Sequence, residues 1–235
     1  MGKFKKEKPS TSGTRIVGAN TKFKNTLSES SKRYLRRQSK DVYSTMAKDE
    51  GYRSRAAYKL IHVQDKYPFI KKGQTVVDLG AAPGGWSQVV ADILTDKNKN
   101  IQGKIFASDI LLMEEIPNVT FIKGDFTKPE TLEKFAAWGY PGKADVVISD
   151  MAQNTLGMAR ADHLAQMQLV DLAVEFALNN LNKGGSFLTK IFQGGEEKEL
   201  RDGLRKHFDK VQFIKPPSSR KDSREIFLLA TGFKG

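Results

Sequence analysis

Residues 76–90 read VVDLGAAPGGWSQVV. An apolar run ends at an aspartate, breaks into glycine and proline, and resumes as an amphipathic segment opened by tryptophan. The continuous run TVVDL (75–79) has the pattern of a buried strand, and WSQVVADIL (86–94) that of a helix. Between them, Gly80, Gly84 and Gly85 allow a tight turn and let a ligand approach the main chain with no Cβ in the way. The order G-A-A-P-G-G is not the G-x-G-x-x-G of a dinucleotide site, and no Gly-Lys-Ser/Thr follows as in a P-loop. What remains is a nucleoside ligand without phosphates.

On either side of this turn, strand and helix patterns alternate. SRAAYKLIHVQDKY (54–67) has helical spacing, with Ser54 in the N-cap position. KIFASDI (104–110), VTFIKGDF (119–126), ADVVISDMA (144–152) and SFLTKIF (186–192) read as strands. PETLEKFAAWG (129–139), HLAQMQLVDLAVEFALNNL (163–181) and EEKELRDGLRKHF (196–208) read as helices. The longest carries Leu164, Met167, Val170, Val174, Ala177, Leu178 and Leu181 on one face. Two strands, KVQFIKP (210–216) and REIFLLATGF (224–233), finish in succession.

That order predicts an α/β fold: a mostly parallel seven-stranded Rossmann-like sheet, helices on both faces, and an antiparallel hairpin at its C-terminal edge. Ligands of such sheets bind outside the carboxyl ends of the strands. Asp78, Asp109, Asp125, Asp150 and Lys190 each fall at or just past a strand end. Any one of these aspartates could be a helix cap or turn former; a series of them with a lysine argues for a shared rim. Asp109 is placed for two ribose hydroxyls and Asp125 for a purine's exocyclic amine. An adenosine with an amino-acid tail instead of phosphates is S-adenosylmethionine, and Asp150 would then lie near its charged tail and sulfonium.

Composition bounds the rest. The 235 residues include no cysteine, so there is no disulfide, thiolate metal site or cysteine nucleophile. His62, His163 and His207 lack the close spacing of a zinc motif, and no metal is expected. No apolar run approaches a membrane span, and no apolar stretch follows the basic N-terminus as a secretory signal requires. A cytoplasmic location is expected, with the mitochondrial matrix as the minority reading. Of the formal net charge of +12, residues 1–40 carry +10, with 12 Lys/Arg against Glu7 and Glu29. Residues 1–38 are read as a basic, flexible arm that binds the phosphates of RNA, and 39–235 as the catalytic domain. A solvated tail is the bland alternative for the arm.

DLGAAPGGWSQ, ASDI, KGDF, SDMAQNTLG, LTKIFQG and KPPSSRKDSREIFLLATGF together resemble the FtsJ-type ribosomal RNA 2′-O-ribose methyltransferases, from about Ser39 to the C-terminus. The resemblance implies S-adenosylmethionine as cofactor, with binding positions at Gly84, Trp86, Asp109, Asp125 and Asp150. It also implies a catalytic tetrad of Lys59, Asp150, Lys190 and Glu225, all present. The implied substrate is a uridine ribose in the peptidyl-transferase region of large-subunit ribosomal RNA, within the assembled subunit, with the enzyme acting as a monomer.

A ribose hydroxyl is a poor nucleophile until its proton is removed or strongly polarised. Lys190, at the end of an apolar strand, is the candidate for that task. An unperturbed lysine is protonated at neutral pH. Burial and Lys59 oppose that state, whereas Asp150 and Glu225 favour it. Lys190 is therefore either a neutral base or an ammonium that orients the hydroxyl and stabilises a developing alkoxide. Taken alone, Lys59 reads as a surface lysine, Glu225 as an edge charge and Trp86 as core packing.

Arg53, Arg55, Arg220, Lys221 and Arg224 flank these positions and would suit an RNA backbone. Cytosine C5 methylation needs a cysteine nucleophile, which is missing, and exocyclic-nitrogen methylation uses an Asn/Asp-Pro-Pro-aromatic loop where SDMAQ stands. A transfer-RNA ribose methyltransferase is the nearer alternative. A non-catalytic ribosome-assembly factor is the remoter one, since a pure binder has no need of Lys190.

Overall fold

The computed structural model describes residues 42–152, 159–220 and 223–235. The helices there are α1 (Val42–Asp49), α2 (Ala57–Lys66), α3 (Gly85–Leu94), α4 (Pro129–Ala137), α5 (Ala159–Asn180) and α6 (Glu197–Leu204). The strands are β1 (Thr75–Leu79), β2 (Lys104–Asp109), β3 (Thr120–Lys123), β4 (Ala144–Ser149), β5 (Leu181–Phe192), β6 (Phe208–Ile214) and β7 (Glu225–Phe233). They form one sheet in the order β3-β2-β1-β4-β5-β7-β6. Strands β1 to β5 pair in parallel, and β7 runs antiparallel to both β5 and β6. The expected fold class holds. Among the described residues, no helix is long and apolar enough to cross a membrane.

The central strands are apolar on both sides because both faces are covered. Val77, Phe106, Val147, Phe187 and Leu228 face a cluster completed by Phe135 of α4, Val170 of α5 and Leu204 of α6. Their neighbours Val76, Ile105, Ile148, Leu188 and Phe227 face a second cluster, completed by Leu60 of α2 and Val89 of α3. Successive residues of a strand point to opposite faces, so this continuous hydrophobicity is what a two-sided core requires. The chain leaves β1 for β2 and β3, then returns to β4 on the other side of β1. The carboxyl ends of β1 and β4 therefore border the point where strand order reverses, which is where such sheets bind ligands.

Several expected boundaries move. The strand expected over 119–126 ends at Lys123, and that over 144–152 ends at Ser149, so Asp125 and Asp150 lie in the following loops. Ser54 does not cap α2: the helix begins at Ala57, and Ala56 precedes it with no side-chain cap. The expected helix over 196–208 is shorter, because Phe208 pairs with Phe233 in the sheet. Helix α1 was not legible as a helix, since its eight residues bury only Ala47.

Helix α5 starts earlier than expected and stops before Leu181, which pairs with Ala144 as part of β5. Its inner face is also rotated: Leu164 is 52% exposed, whereas His163 and Gln166 are buried. That end of the helix lies over polar loop ends, and the Gln166 amide donates to the carbonyls of Met151 and Lys190. Periodicity sees apolar residues and misses a polar one whose amide nitrogen finds acceptors inside.

Candidate active site

The glycine turn is tied to the end of β2. Gly80 and Ala81 donate to the Ser108 carbonyl at 2.8 and 3.1 Å, and Ala82 donates to Asp109 Oδ2 at 2.9 Å. Gly80 has φ +70°, and a Cβ there would sit 2.1 Å from Met151 Cγ. The loops after β1 and β4 can touch only because that residue is glycine. Gly84, at φ +108°, precedes α3 with no side-chain cap on the helix. The main-chain N–H groups of the first helical turn lack intrahelical partners; at this end of α3 the N-cap residue supplies no side chain, and the Asp78 carboxylate takes the N–H of Ser87.

Asp109 takes a second hydrogen bond on Oδ1 from Leu111 N at 2.8 Å, so the carboxylate is fixed in direction. An ionised carboxylate has about four acceptor positions, which leaves capacity for ligand hydroxyls. Burial works against ionisation of Asp125, but hydrogen bonds from the hydroxyl and amide of Thr127 outweigh it and hold the carboxyl below its ordinary value. Both of those bonds fall on Oδ1.

Asp78 behaves differently. It is 1% exposed and accepts from Ser87 Oγ at 2.7 Å. Burial pushes its carboxyl up to about 7, with Asp150 and Asp109 adding to the rise and the Ser87 bonds opposing it. Below about pH 4 the carboxyl is neutral in both folded and unfolded chains. Between about pH 4 and pH 7 the unfolded form ionises while the folded form stays protonated, so this group's contribution to stability is lost as pH rises. The cost at pH 8 is on the order of 4 kcal/mol. The Asp78→Asn variant, which is neutral at every pH, should therefore gain in Tm relative to the wild type between pH 5 and pH 8. Parallel melting curves would show no such divergence if Asp78 were ionised in the folded state.

Four side chains meet beyond the ends of β4 and β5. Lys190 Nζ lies 3.0 Å from Asp150 Oδ1 and donates to the Asp150 main-chain oxygen at 2.6 Å. Lys59 Nζ, from α2, reaches Glu225 Oε2 at 2.8 Å and Asp150 Oδ1 at 3.9 Å. Ser219 Oγ donates to Glu225 Oε1 at 3.2 Å. The Lys190 and Lys59 side chains are only 6% and 12% exposed, and those of Asp150 and Glu225 are 17% and 13% exposed. Lysines this buried require charge partners, and each ammonium has a carboxylate. Lys59 also lies 5.7 Å from the centre of the Phe227 ring, whose face favours a cation. Far from being a solvated surface lysine, it is the link between α2 and β7.

Trp86 stands apart from these groups. Its ring is 3% exposed and packs 5.7 Å from Phe227, while its indole N–H donates to the Ala56 carbonyl at 2.9 Å. Only its main-chain amide, in the first turn of α3, is placed toward the glycine turn. The flanking arginines Arg53, Arg55 and Arg224 also make hydrogen bonds within the protein. Arg53 donates to the carbonyls of Pro83, Glu114 and Glu115, Arg55 to that of Ser218, and Arg224 to that of Gln193. Arg53 thereby clips the glycine turn to the loop after β2. Lys221 lies outside the described residues, as does the arm 1–38. Arg53 and Gln166 carried no sequence signal for these tasks. Among the described residues, no group of three or more His, Asp or Glu side chains could hold a metal ion.

A reversed last strand in this sheet order, with a glycine turn after β1 at its switch point, defines the Rossmann-like fold of a methyltransferase. Residues 52–233 match the family model described as FtsJ-like methyltransferase, and the chain belongs to that family. It is 46% identical over 233 residues to the ribosomal RNA large subunit methyltransferase E of Mesorhizobium japonicum, covering 98% of this chain and 86% of that one. It is 49% identical over 206 residues to the protein of that name from Afipia carboxidovorans, covering 88% and 90%. The crystal structure of a ribosomal RNA methyltransferase from Plasmodium falciparum, there called putative, superimposes with a TM-score of 0.69 at 35% identity. It covers 78% of this chain and all of its own.

Proposed function

We propose that this protein transfers a methyl group from S-adenosylmethionine to the 2′-oxygen of a ribose in large-subunit ribosomal RNA. The observation that carries the reading is the meeting of Lys59, Asp150, Lys190 and Glu225, drawn from four separate elements, on the rim beside the glycine turn. The family membership and the names of the relatives support ribosomal RNA as the substrate.

The donor set fits the cofactor. Asp109 would accept from the ribose hydroxyls and Asp125 from the adenine amine. The amides opening α3, Trp86 included, would face the carboxylate of the amino-acid tail, as helix N-termini favour anions. Gly84 lets the loop after β2 pack onto the turn, since a Cβ there would lie 2.6 Å from Ile116 Cδ1 and 2.9 Å from Met113 Sδ, and Asp150 would lie by the positive end of the cofactor. When bound, S-adenosylmethionine supplies an electrophilic methyl group on a cationic sulfur.

The protein's part is positioning and electrostatics. Lys190 gives one N–H to the Asp150 main-chain oxygen, and its nitrogen lies within ion-pair distance of the Asp150 carboxylate. Another N–H would be given to the ribose 2′-oxygen, orienting a lone pair in line with the methyl group and stabilising charge as the new O–C bond forms and the hydroxyl proton is lost to solvent water. Lys59 and Glu225 would hold the sugar and keep Lys190 and Asp150 in register.

The substrate is expected to be the assembled large subunit, acted on by a monomer in the cytoplasm, at a uridine of the peptidyl-transferase region. Incubation with labelled cofactor and either large subunits, free ribosomal RNA or transfer RNA tests this. Label in large subunits is expected; label only in transfer RNA would overturn the choice of substrate. Residues 1–38 are proposed as an RNA-binding arm of the 39–235 domain. Deleting residues 1–35 should raise the KM for subunits and flatten its dependence on salt. An unchanged KM and salt slope would reduce the arm to a tail.

A further inference from the structure

We propose that the cleft between α6 and β6 is an RNA subsite, holding a nucleotide that flanks the methylated one; this extends the proposed function and rests on it. The cleft measures about 440 Å³, and its lining includes Lys198, Arg201, Phe213 and Lys215. Glu197 is the sole carboxylate of that lining, and both its oxygens are taken by the main-chain N–H groups of Gly194 and Gly195, at 2.8 and 2.7 Å. The lining is therefore cationic, with its one acid already occupied.

The Arg201 guanidinium lies 5.8 Å from the centre of the Phe213 ring. The guanidinium lies over the ring, so the plane offered to a base is that of Arg201, backed by Phe213, while Lys198 and Lys215 are left for phosphate; stacking beside cations holds a single strand without regard to sequence. Arg201 also contacts Asp202 at 3.4 Å, an exposed pair of the kind worth little. Lys215 donates to the Ser223 carbonyl at 2.6 Å, which fixes it beside the start of β7.

The cleft adjoins the catalytic rim through the sheet itself. Its lining includes Gln193, next after Phe192, which pairs with Glu225, and Ile226, which pairs with Ile191. Ile226 belongs to the core under α5 and α6, whereas Phe227 belongs to the core on the face of Lys59. A strand with its ribose at Lys190 and Glu225 would reach this cleft by crossing the ends of β5 and β7. That continuity favours RNA over an acidic peptide as the occupant.

A control site exists in the same strand. Lys71 and Lys210 line another cleft, of about 350 Å³, beside Tyr67. Lys210 and Lys215 are separated by about 17 Å of extended chain. The double variant Lys198→Glu/Arg201→Glu should raise the KM for large subunits about tenfold at low salt and make its salt dependence shallower. Cofactor Kd should not move. The variant Lys71→Glu/Lys210→Glu, with the same change in net charge, should alter KM less than about twofold.

A wild-type KM in the first variant, or an equal rise in both, would overturn the subsite, the latter by showing a net-charge effect alone. Photocrosslinking to subunits whose RNA carries 4-thiouridine should mark the peptide around Phe213. RNA attached to other peptides of the enzyme, with none at the peptide around Phe213, would contradict the assignment. If the wild type methylates no RNA, the proposed function fails, and the subsite with it. If the wild type is active and the Lys198→Glu/Arg201→Glu variant keeps the wild-type KM, the subsite alone fails.

Discussion

Replacing Lys190 with alanine should abolish methyl transfer while the protein still binds its cofactor. The expected fall in kcat is about a thousandfold or more, because one group both orients the nucleophile and stabilises the charge that develops on it. The side chain contacts Asp150 and is 6% exposed, at the end of a strand whose pairing with β7 is made by the main chain. Its loss leaves Asp109 and Asp125 in place, so calorimetric binding of S-adenosylmethionine should change little. Turnover close to that of the wild type would remove Lys190 from the mechanism. The Lys190→Arg variant should recover little activity, since a planar guanidinium replaces a compact point charge.

The Asp150→Asn variant should lose both activity and stability. The carboxylate is shared by two largely buried ammonium groups, at 3.0 Å from Lys190 and 3.9 Å from Lys59. Removing one member of a buried ionic group leaves uncompensated charge, at a cost on the order of 3 kcal/mol. Lys59 would keep Glu225, and Lys190 would keep only a main-chain oxygen. Denaturant unfolding measures the loss. The Asp150→Asn/Lys190→Ala double variant should be more stable than the sum of the single effects implies, because the unpaired amine is then gone. Strict additivity would show that the pair is not energetically coupled.

What the sequence disclosed follows from the range of each interaction. The glycine turn and the aspartates after each strand are local patterns: a buried strand must end, and its last residues must face the ligand edge. The order of elements gave the parallel sheet and the reversed final strand, because two strands without an intervening helix must turn back. Lys59 was not legible from its own surroundings. On helix α2 it lies between buried Tyr58 and Leu60, and its partner Glu225 is 166 residues away. Only the resemblance to a known family singled it out.

The same limit explains the inner face of α5. Leu164 was expected inside and Gln166 was passed over, yet Gln166 is buried because Met151 and Lys190 present carbonyls to it. Arg53 and Arg55 were expected to flank the site, and the structure adds a task that the sequence did not show: they hold main-chain oxygens of loops distant in sequence. A side chain's charge can be read from sequence, but the carbonyls that claim it cannot. Trp86 shows the converse: a position the family resemblance marks for the cofactor holds a ring buried against Phe227.

The central claim is that a sugar oxygen, and not a base, receives the methyl group. The direct measurement is alkaline hydrolysis of RNA from large subunits labelled by the wild-type protein, followed by chromatography of the products. A methylated 2′-oxygen cannot attack the adjacent phosphodiester, so the account predicts label in an alkali-resistant dinucleotide that digests to 2′-O-methyluridine. Label in an alkali-released mononucleotide, carried on a base, would contradict it.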